Sequence, residues 1–301
     1  MSSSLTSPGL VAAGDKAIIA ARKQLEFVKL FATDFTDDAI QPSTTLKVPV
    51  FAGAAASFAP GSSHGYNDTE GTIKWAAIDF STHKKCTFGL QDKDKLLVDT
   101  DPFWTKCGVA AGQGVGLALV SEITSKLVYS AATQITSWSA TLANMAALRA
   151  SCAANGIDPA RCVVILTPDA YAAVLVALPA NVIGDGSAFV TGIAPGLFGF
   201  KAVCEGTTIS TASAADATKG VGFVVPEDAL AIGARVIKPQ DGVCEEWGTT
   251  TDEITGLTLG HRVTVNQNSG ERFYTVEALI GAALTLQSSN GAPKILQLVT
   301  A

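Results

Sequence analysis

Apolar residues first recur at helical spacing in QLEFVKLFATDF (24–35), where Leu25, Val28, Phe31 and Phe35 share one face. The preceding twenty-odd residues are small and polar or weakly apolar, and turn-like TDDAIQPSTT follows. Residues 1–43 therefore read as an arm with one short helix. The period then changes. TLKVPVFA (45–52) alternates apolar and polar positions, and TIKWAAIDF (72–80) with KCTFGL (85–90) supplies returning strand material. Between them GAAASFAPGSSHGYNDTEG (53–71) is rich in turn formers. Loops longer than about 15 residues inside a compact domain tend to be functional or mobile. Residues 44–90 thus predict a long hairpin.

A helical period returns at Asp101, an apt N-cap, with Pro102 at the first helical position. No further proline occurs before Ala131. Leu117, Val120, Ile123 and Leu127 make an apolar face, and Glu122 and Lys126 an i,i+4 ion pair. Such a helix would run for roughly 45 Å.

Residues 136–240 alternate helix and strand patterns. SWSATLANMAALRASCAANG (137–156) has serines in front as caps and Gly156 behind. RCVVILT (161–167) is a buried strand, and Thr167-Pro168-Asp169 starts a helix that stops at Pro179. GLFGFKAVCEG (196–206) and KGVGFVVPEDAL (219–230) read as strands, the second turning into a short helix, and ARVIKP (234–239) closes the unit. This order predicts a layered α/β unit. LTLGHRVTVNQNSGERFYTVEALIGAAL (257–284) is a hairpin turning at Gln267-Asn268-Ser269-Gly270. The long helix needs a surface to cover its apolar face. The simplest arrangement packs it on this hairpin, so that 91–135 and 241–301 form one unit and 136–240 is inserted into it.

Composition narrows the function. Charged residues make up 16% of the 301, against roughly 25% in an average soluble protein. Hydrophobic residues make up 48%, and the mean hydropathy is +0.31. Either a membrane or other protein should cover part of this surface. The longest apolar runs, GVGLALV (114–120) and ALIGAALTL (278–286), fall short of the about 20 residues that span a bilayer. The N-terminus lacks the basic residue of a secretory signal. We therefore expect an intracellular protein partly buried in an assembly. A net charge of −6 argues against gripping a nucleic-acid backbone.

Candidate chemistry is sparse. GVAAGQGVGLA (108–118) lacks the third glycine of a dinucleotide fingerprint, and no GK[ST] occurs anywhere. Gly108, Gly112 and Gly116 instead fall on one stripe of the long helix. Each glycine costs about 1 kcal/mol relative to alanine there, which suggests close approach by another backbone. GSSHG (61–65) matches a nucleophile elbow at Ser63, with Asp252 and His261 following in hydrolase order, but no strand–turn–helix context surrounds it. NDT (67–69) matches a glycosylation acceptor with no secretory context. Asp92, Asp94, Asp99 and Asp101 lack a calcium-loop glycine. Six dispersed cysteines read as buried thiols, and three distant histidines offer no zinc spacing. No cofactor and no metal is expected.

The order of elements carries more than any motif. IDFSTHKKCTFGLQDKD leading into the long helix, and RCVVILTPDAYAAVLVAL, resemble the major capsid protein of tailed bacteriophages, the Hong Kong 97-type fold. The fold class expected is α+β. The resemblance covers nearly the whole chain and implies an N-arm (1–43), an E-loop hairpin (44–90), a P-domain with its spine helix (91–135) and C-terminal strands (241–301), and an inserted α/β A-domain (136–240). It implies no enzyme. The implied function is self-assembly into pentamers and hexamers of an icosahedral shell, made in the host cytoplasm and enclosing DNA without reading its sequence. Portal, scaffolding and cement proteins are the implied partners, and no membrane. Phe51, Phe58, Tyr66 and Trp75 become candidates for contact with neighbouring subunits. With room for only a short arm, we expect a separate scaffolding protein and no large N-terminal cleavage. The loop 53–71 contains no lysine, so no Lys–Asn cross-link is expected from it. An encapsulin-like cargo shell shares the fold, and a hydrolase using Ser63 is the competing reading.

Overall fold

The computed structural model describes residues 2–3, 8–34, 45–53, 71–90, 101–178, 191–285 and 294–301, apart from 215, 217, 228, 241, 253–255 and 267–268. The chain begins with β1 (Ser2–Ser3), α1 (Pro8–Leu25), a 3-10 turn at Val28–Leu30 and β2 (Ala32–Asp34). β3 (Thr45–Gly53), β4 (Gly71–Asp79), β5 (Thr82–Leu90) and the long helix α2 (Asp101–Thr124) follow. Next come β6 (Thr133–Ile135), α3 (Leu142–Ala154), β7 (Cys162–Leu166), α4 (Pro168–Ala177), β8 (Ile193–Pro195), β9 (Ala202–Glu205) and β10 (Gly220–Pro226). The chain ends with β11 (Leu230–Arg235), β12 (Glu246–Thr251), β13 (Thr258–Asn266), β14 (Glu271–Leu284) and β15 (Leu296–Val299).

The helix expected over 24–35 lies earlier, at 8–25, in the stretch read as a featureless arm. Its buried positions include Leu10, Ala13, Ala17, Ile18, Ala21 and Leu25. These include few bulky groups because the helix packs backbone to backbone. A Cβ on Gly108 or Gly112 would stand 2.2 or 2.1 Å from the carbonyl oxygen of Ala13 or Ala17, and one on Gly116 2.9 Å from Ala21 Cα. Leu25, Val28 and Phe31 are buried as expected, but as the helix gives way to a 3-10 turn; Phe35 lies outside the described residues.

α2 begins at Asp101 as expected and ends at Thr124, several residues short of Ala131. The buried Thr124 hydroxyl donates back to the Val120 carbonyl at 2.9 Å and meets Thr208 Oγ1 at 3.0 Å, so the last turn is tied to a distant loop. Val120, Ile123 and Leu127 are buried, but Leu117 is exposed. The buried face follows Trp104, Cys107, Ala111, Val115 and Leu119, because α1, β5 and β14 flank the helix. Residues 102–124 do form a helix long and apolar enough to cross a membrane, which the count of apolar runs missed. Yet 56% of its most apolar window is buried inside the fold, as in a core helix.

Two sheets organise the rest. The larger runs β1-β12-β13-β14-β11-β2, with β5 on the other edge of β14. Within it β13 and β14 form the expected hairpin, Gly260 opposite Glu277 through Asn266 opposite Glu271. The amides of Ser269 and Gly270 both donate to the Asn266 carbonyl, and Gly270 takes a φ of 65°. α2 packs on β14 as expected, with Trp104 edge-on to Tyr274 at 5.9 Å. β3 and β4 form a separate antiparallel pair, Thr45 opposite Asp79 through Gly53 opposite Gly71. Among the described residues that hairpin is anchored at its root, through Val48, Ile78 and Phe80 against Ala231.

The second sheet runs β6-β15-β10-β7-β9-β8. All five residues of β7 are buried, because both faces are covered. Val164, Leu166, Val203 and Val224 lie under Met145 and Leu148 of α3 and Tyr171 and Val174 of α4. Val163, Ile165, Cys204 and Phe223 face the core shared with α1 and α2. The inserted unit therefore has no core wholly its own. Nor do the sheets divide at residue 240. β11, read as closing the inserted unit, pairs with β14 in the larger sheet, and C-terminal β15 joins the second sheet beside β10. Glu227 lies in a turn and Ala229 in a bend rather than in a short helix. Periodicity finds strands but not their partners, and both sheets bury these strands alike. Thr141 rather than a serine caps α3, accepting from the Asn144 amide at 3.2 Å. Thr167 makes no side-chain cap, although Pro168 opens α4 as expected.

Candidate functional site

A cluster of deeply buried polar groups lies where β5, β14 and β13 meet. Glu277 is 1% exposed in its side chain, and its Oε2 meets His83 Nε2 at 2.9 Å and accepts from Arg262. Beside it His261 is fully buried, with Nδ1 2.9 Å from the Tyr274 hydroxyl. Burial pushes the His261 pKa down to about 4, so the ring is neutral at neutral pH, and burial raises that of Tyr274. The register explains the cluster: His83 stands opposite Leu279, two residues past Glu277, and Arg262 opposite Thr275, two residues before it. The cluster fastens three strands together. Sequence reasoning missed it, because cross-strand diagonals need the register.

The hydrolase constellation is not assembled. Ser63 lies outside the described residues. Asp252, almost fully buried, is paired with Arg22 of α1 at 3.1 Å, while His261 is held by Tyr274 and stands opposite Gly248. Each partner is committed to packing. The glycine-rich stretch lies within α2, where its backbone amides serve the helix rather than a phosphate loop. Gly108, Gly112 and Gly116 are where the α1 backbone touches α2. The matching sequence signal was the four-residue spacing of Ala13, Ala17 and Ala21. Among the described residues no group of three His, Cys, Asp or Glu is placed to hold a metal ion.

Two concavities stand out among the described residues. A cavity of about 240 Å³ between α1, α2 and β11 is lined by Leu25, Val28, Ile123, Ile232 and Ile280, with Lys29 and Asp34 also at its wall. A groove of about 560 Å³ lies where β7 and β9 end, and includes Trp138, Thr167, Thr207, Thr211 and Thr300. Its one titratable lining residue is Asp169.

The surface is more telling. Trp75 stands opposite Pro49 on the β3–β4 hairpin and is 64% exposed, an unusual setting for an indole. Phe58 and Tyr66, together with the side chain of Phe51, lie outside the described residues. Val176, near the end of α4, is 84% exposed. Trp75 and Val176 lie on different elements.

No protein-family model matches the chain, and no curated protein matches its sequence. Its fold is nevertheless shared with solved capsid structures. The chain resembles the capsid of Ralstonia phage GP4 with a TM-score of 0.57 at 9% identity, covering 91% of both chains. It resembles the capsid of cyanophage P-SCSP1u with a TM-score of 0.54 at 15% identity, over 91% of this chain and 88% of that one. A virus-like particle from Pyrococcus furiosus gives a TM-score of 0.53 at 13% identity, over 95% and 97%. The chain has the mixed helix-and-sheet fold of phage capsid proteins.

Proposed function

We propose that this chain is the subunit of an icosahedral shell, the major capsid protein of a tailed phage enclosing double-stranded DNA. The observation that carries the reading is the likeness to capsid structures over about nine-tenths of the chain. In the Hong Kong 97-type layout, β3–β4 is the E-loop, α2 the spine helix and the larger sheet the P-domain. The second sheet with α3 and α4 is the A-domain. The short N-terminal segment corresponds to the N-arm. The A-domains meet around five- and six-fold axes, and the E-loop lies across a neighbour.

Physical features support this. Trp75 on the β3–β4 hairpin is exposed, open to another subunit. A charge fraction of 16% suits a subunit whose flanks are covered by copies of itself. Apolar burial at about 25 cal/mol per Å², repeated at several interfaces, holds a shell without covalent chemistry. Net charge −6 keeps the container from gripping its DNA. Assembly takes place in the host cytoplasm, with scaffolding and portal proteins as partners.

The likeness to the Pyrococcus furiosus particle supports a second reading, a cargo shell. Gradient sedimentation of the expressed chain, followed by nuclease treatment and analysis of what the particles protect, tests both. Fast-sedimenting particles are expected, and phage-derived ones protect DNA. Protected protein in place of DNA would favour the cargo shell. Sedimentation only as a single subunit would overturn both.

A further inference from the structure

Folded interiors are close-packed, and voids larger than a water molecule are few. The cavity of about 240 Å³ is such a void, walled by elements from both ends of the chain. Val28 of the 3-10 turn and Ala32 of β2 stand on one side. Ile123 of α2, Ile232 of β11 and Ile280 of β14 complete the wall. Val28, Ile123 and Ile280 are buried, whereas Lys29 and Asp34 are exposed. The aliphatic groups therefore form the interior and the two charged residues the mouth. Apart from Lys29 and Asp34, no described lining residue has a side chain that can donate or accept a hydrogen bond. A polar ligand would give up its hydrogen bonds to water and find no side-chain partner inside. The mouth carries one cation and one anion, so it selects for neither charge. An apolar ligand, by contrast, restores dispersion contacts that the lining atoms lack across a void. An engineered cavity of about 150 Å³ with such a lining stays dry and binds benzene or xenon. This cavity is larger and of the same chemistry.

We propose that this cavity is a binding site for a neutral, apolar small molecule of the size of one or two aromatic rings, entering between Lys29 and Asp34. The proposal stands whether or not the chain forms a shell. The ligand touches Val28 and Ala32 of the N-terminal segment on one side and Ile123 and Ile280 on the other. It thereby ties the 3-10 turn and β2 to α2 and β14. A ligand held only by the folded chain stabilises it by mass action, so the unfolding midpoint rises with ligand concentration.

The test follows the fluorine NMR signal of fluorobenzene as the purified full chain is added. The signal should broaden saturably, and toluene should displace the probe. Benzoate has a similar ring but carries a charge, and it should compete at least about tenfold more weakly. Ala32→Leu adds carbon atoms at the cavity wall and should weaken fluorobenzene binding at least about tenfold. If that variant fails to fold, Ile232→Phe fills the cavity from β11, and the competition on the wild type decides by itself. No saturable binding to the wild type, equal competition by benzoate, or unchanged affinity in a folded, filled variant would overturn the proposal.

Discussion

Gly112 and Gly114 are two residues apart on α2 yet should respond oppositely to the same change. Alanine in place of glycine inside a helix ordinarily stabilises by about 1 kcal/mol. At Gly114 the added methyl would meet Cys86 Sγ at 3.6 Å, an ordinary contact, and Gly114→Ala should stabilise by up to that amount. At Gly112 it would enter the α1 backbone, and Gly112→Ala should destabilise by about 3 kcal/mol. Urea unfolding of the unassembled subunit compares the two, and equal shifts would refute the close helix contact. His261 gives a pH test. Its folded pKa is pushed down to about 4, below the roughly 6.5 of an unfolded histidine, so the unfolded chain binds the proton first. The penalty is absent above pH about 6.5 and grows as pH falls towards about 4. The wild type should lose on the order of 3 kcal/mol more than His261→Gln over that window. Parallel pH profiles of Tm would remove His261 as the cause. The glycine stripe was legible in the sequence, since spacing alone implied close packing. The role of Asp252 was not, because its partner Arg22 lies 230 positions away.

At the scale of elements, the sequence yielded what is periodic and local. The β13–β14 hairpin, the buried strand β7 and the start of α2 were all legible. α1 was not, because a helix seated on glycine presents alanine rather than a bulky apolar stripe. The exchange of β11 and β15 between sheets was invisible for a different reason: strand partnership is set by tertiary packing, not by period. The β3–β4 hairpin raises the element-level prediction. Trp75→Ser removes a side chain that its own subunit barely covers, so subunit stability should change by less than about 0.5 kcal/mol. If the indole seats on a neighbour, losing roughly 1–2 kcal/mol per contact should raise the concentration needed for assembly about tenfold. Light scattering against concentration measures this. An unchanged threshold would remove Trp75 from the interface.

The whole molecule joins a two-sheet body, fastened by the α1–α2 contact and the Arg22–Asp252 pair, to a hairpin anchored at its root through Val48, Ile78 and Phe80. Low charge and a projecting aromatic are poorly suited to a solitary subunit and well suited to one surrounded by its copies. The order of elements made this fold legible where motifs did not, while the copy number of the assembly depends on contacts that no single chain contains. The central claim is self-assembly. Electron microscopy of the purified chain, with and without co-expressed phage proteins, tests it most directly. Closed shells or five- and six-membered rings are expected, with density of the β3–β4 hairpin crossing between subunits. A uniform monomer under every condition would contradict it.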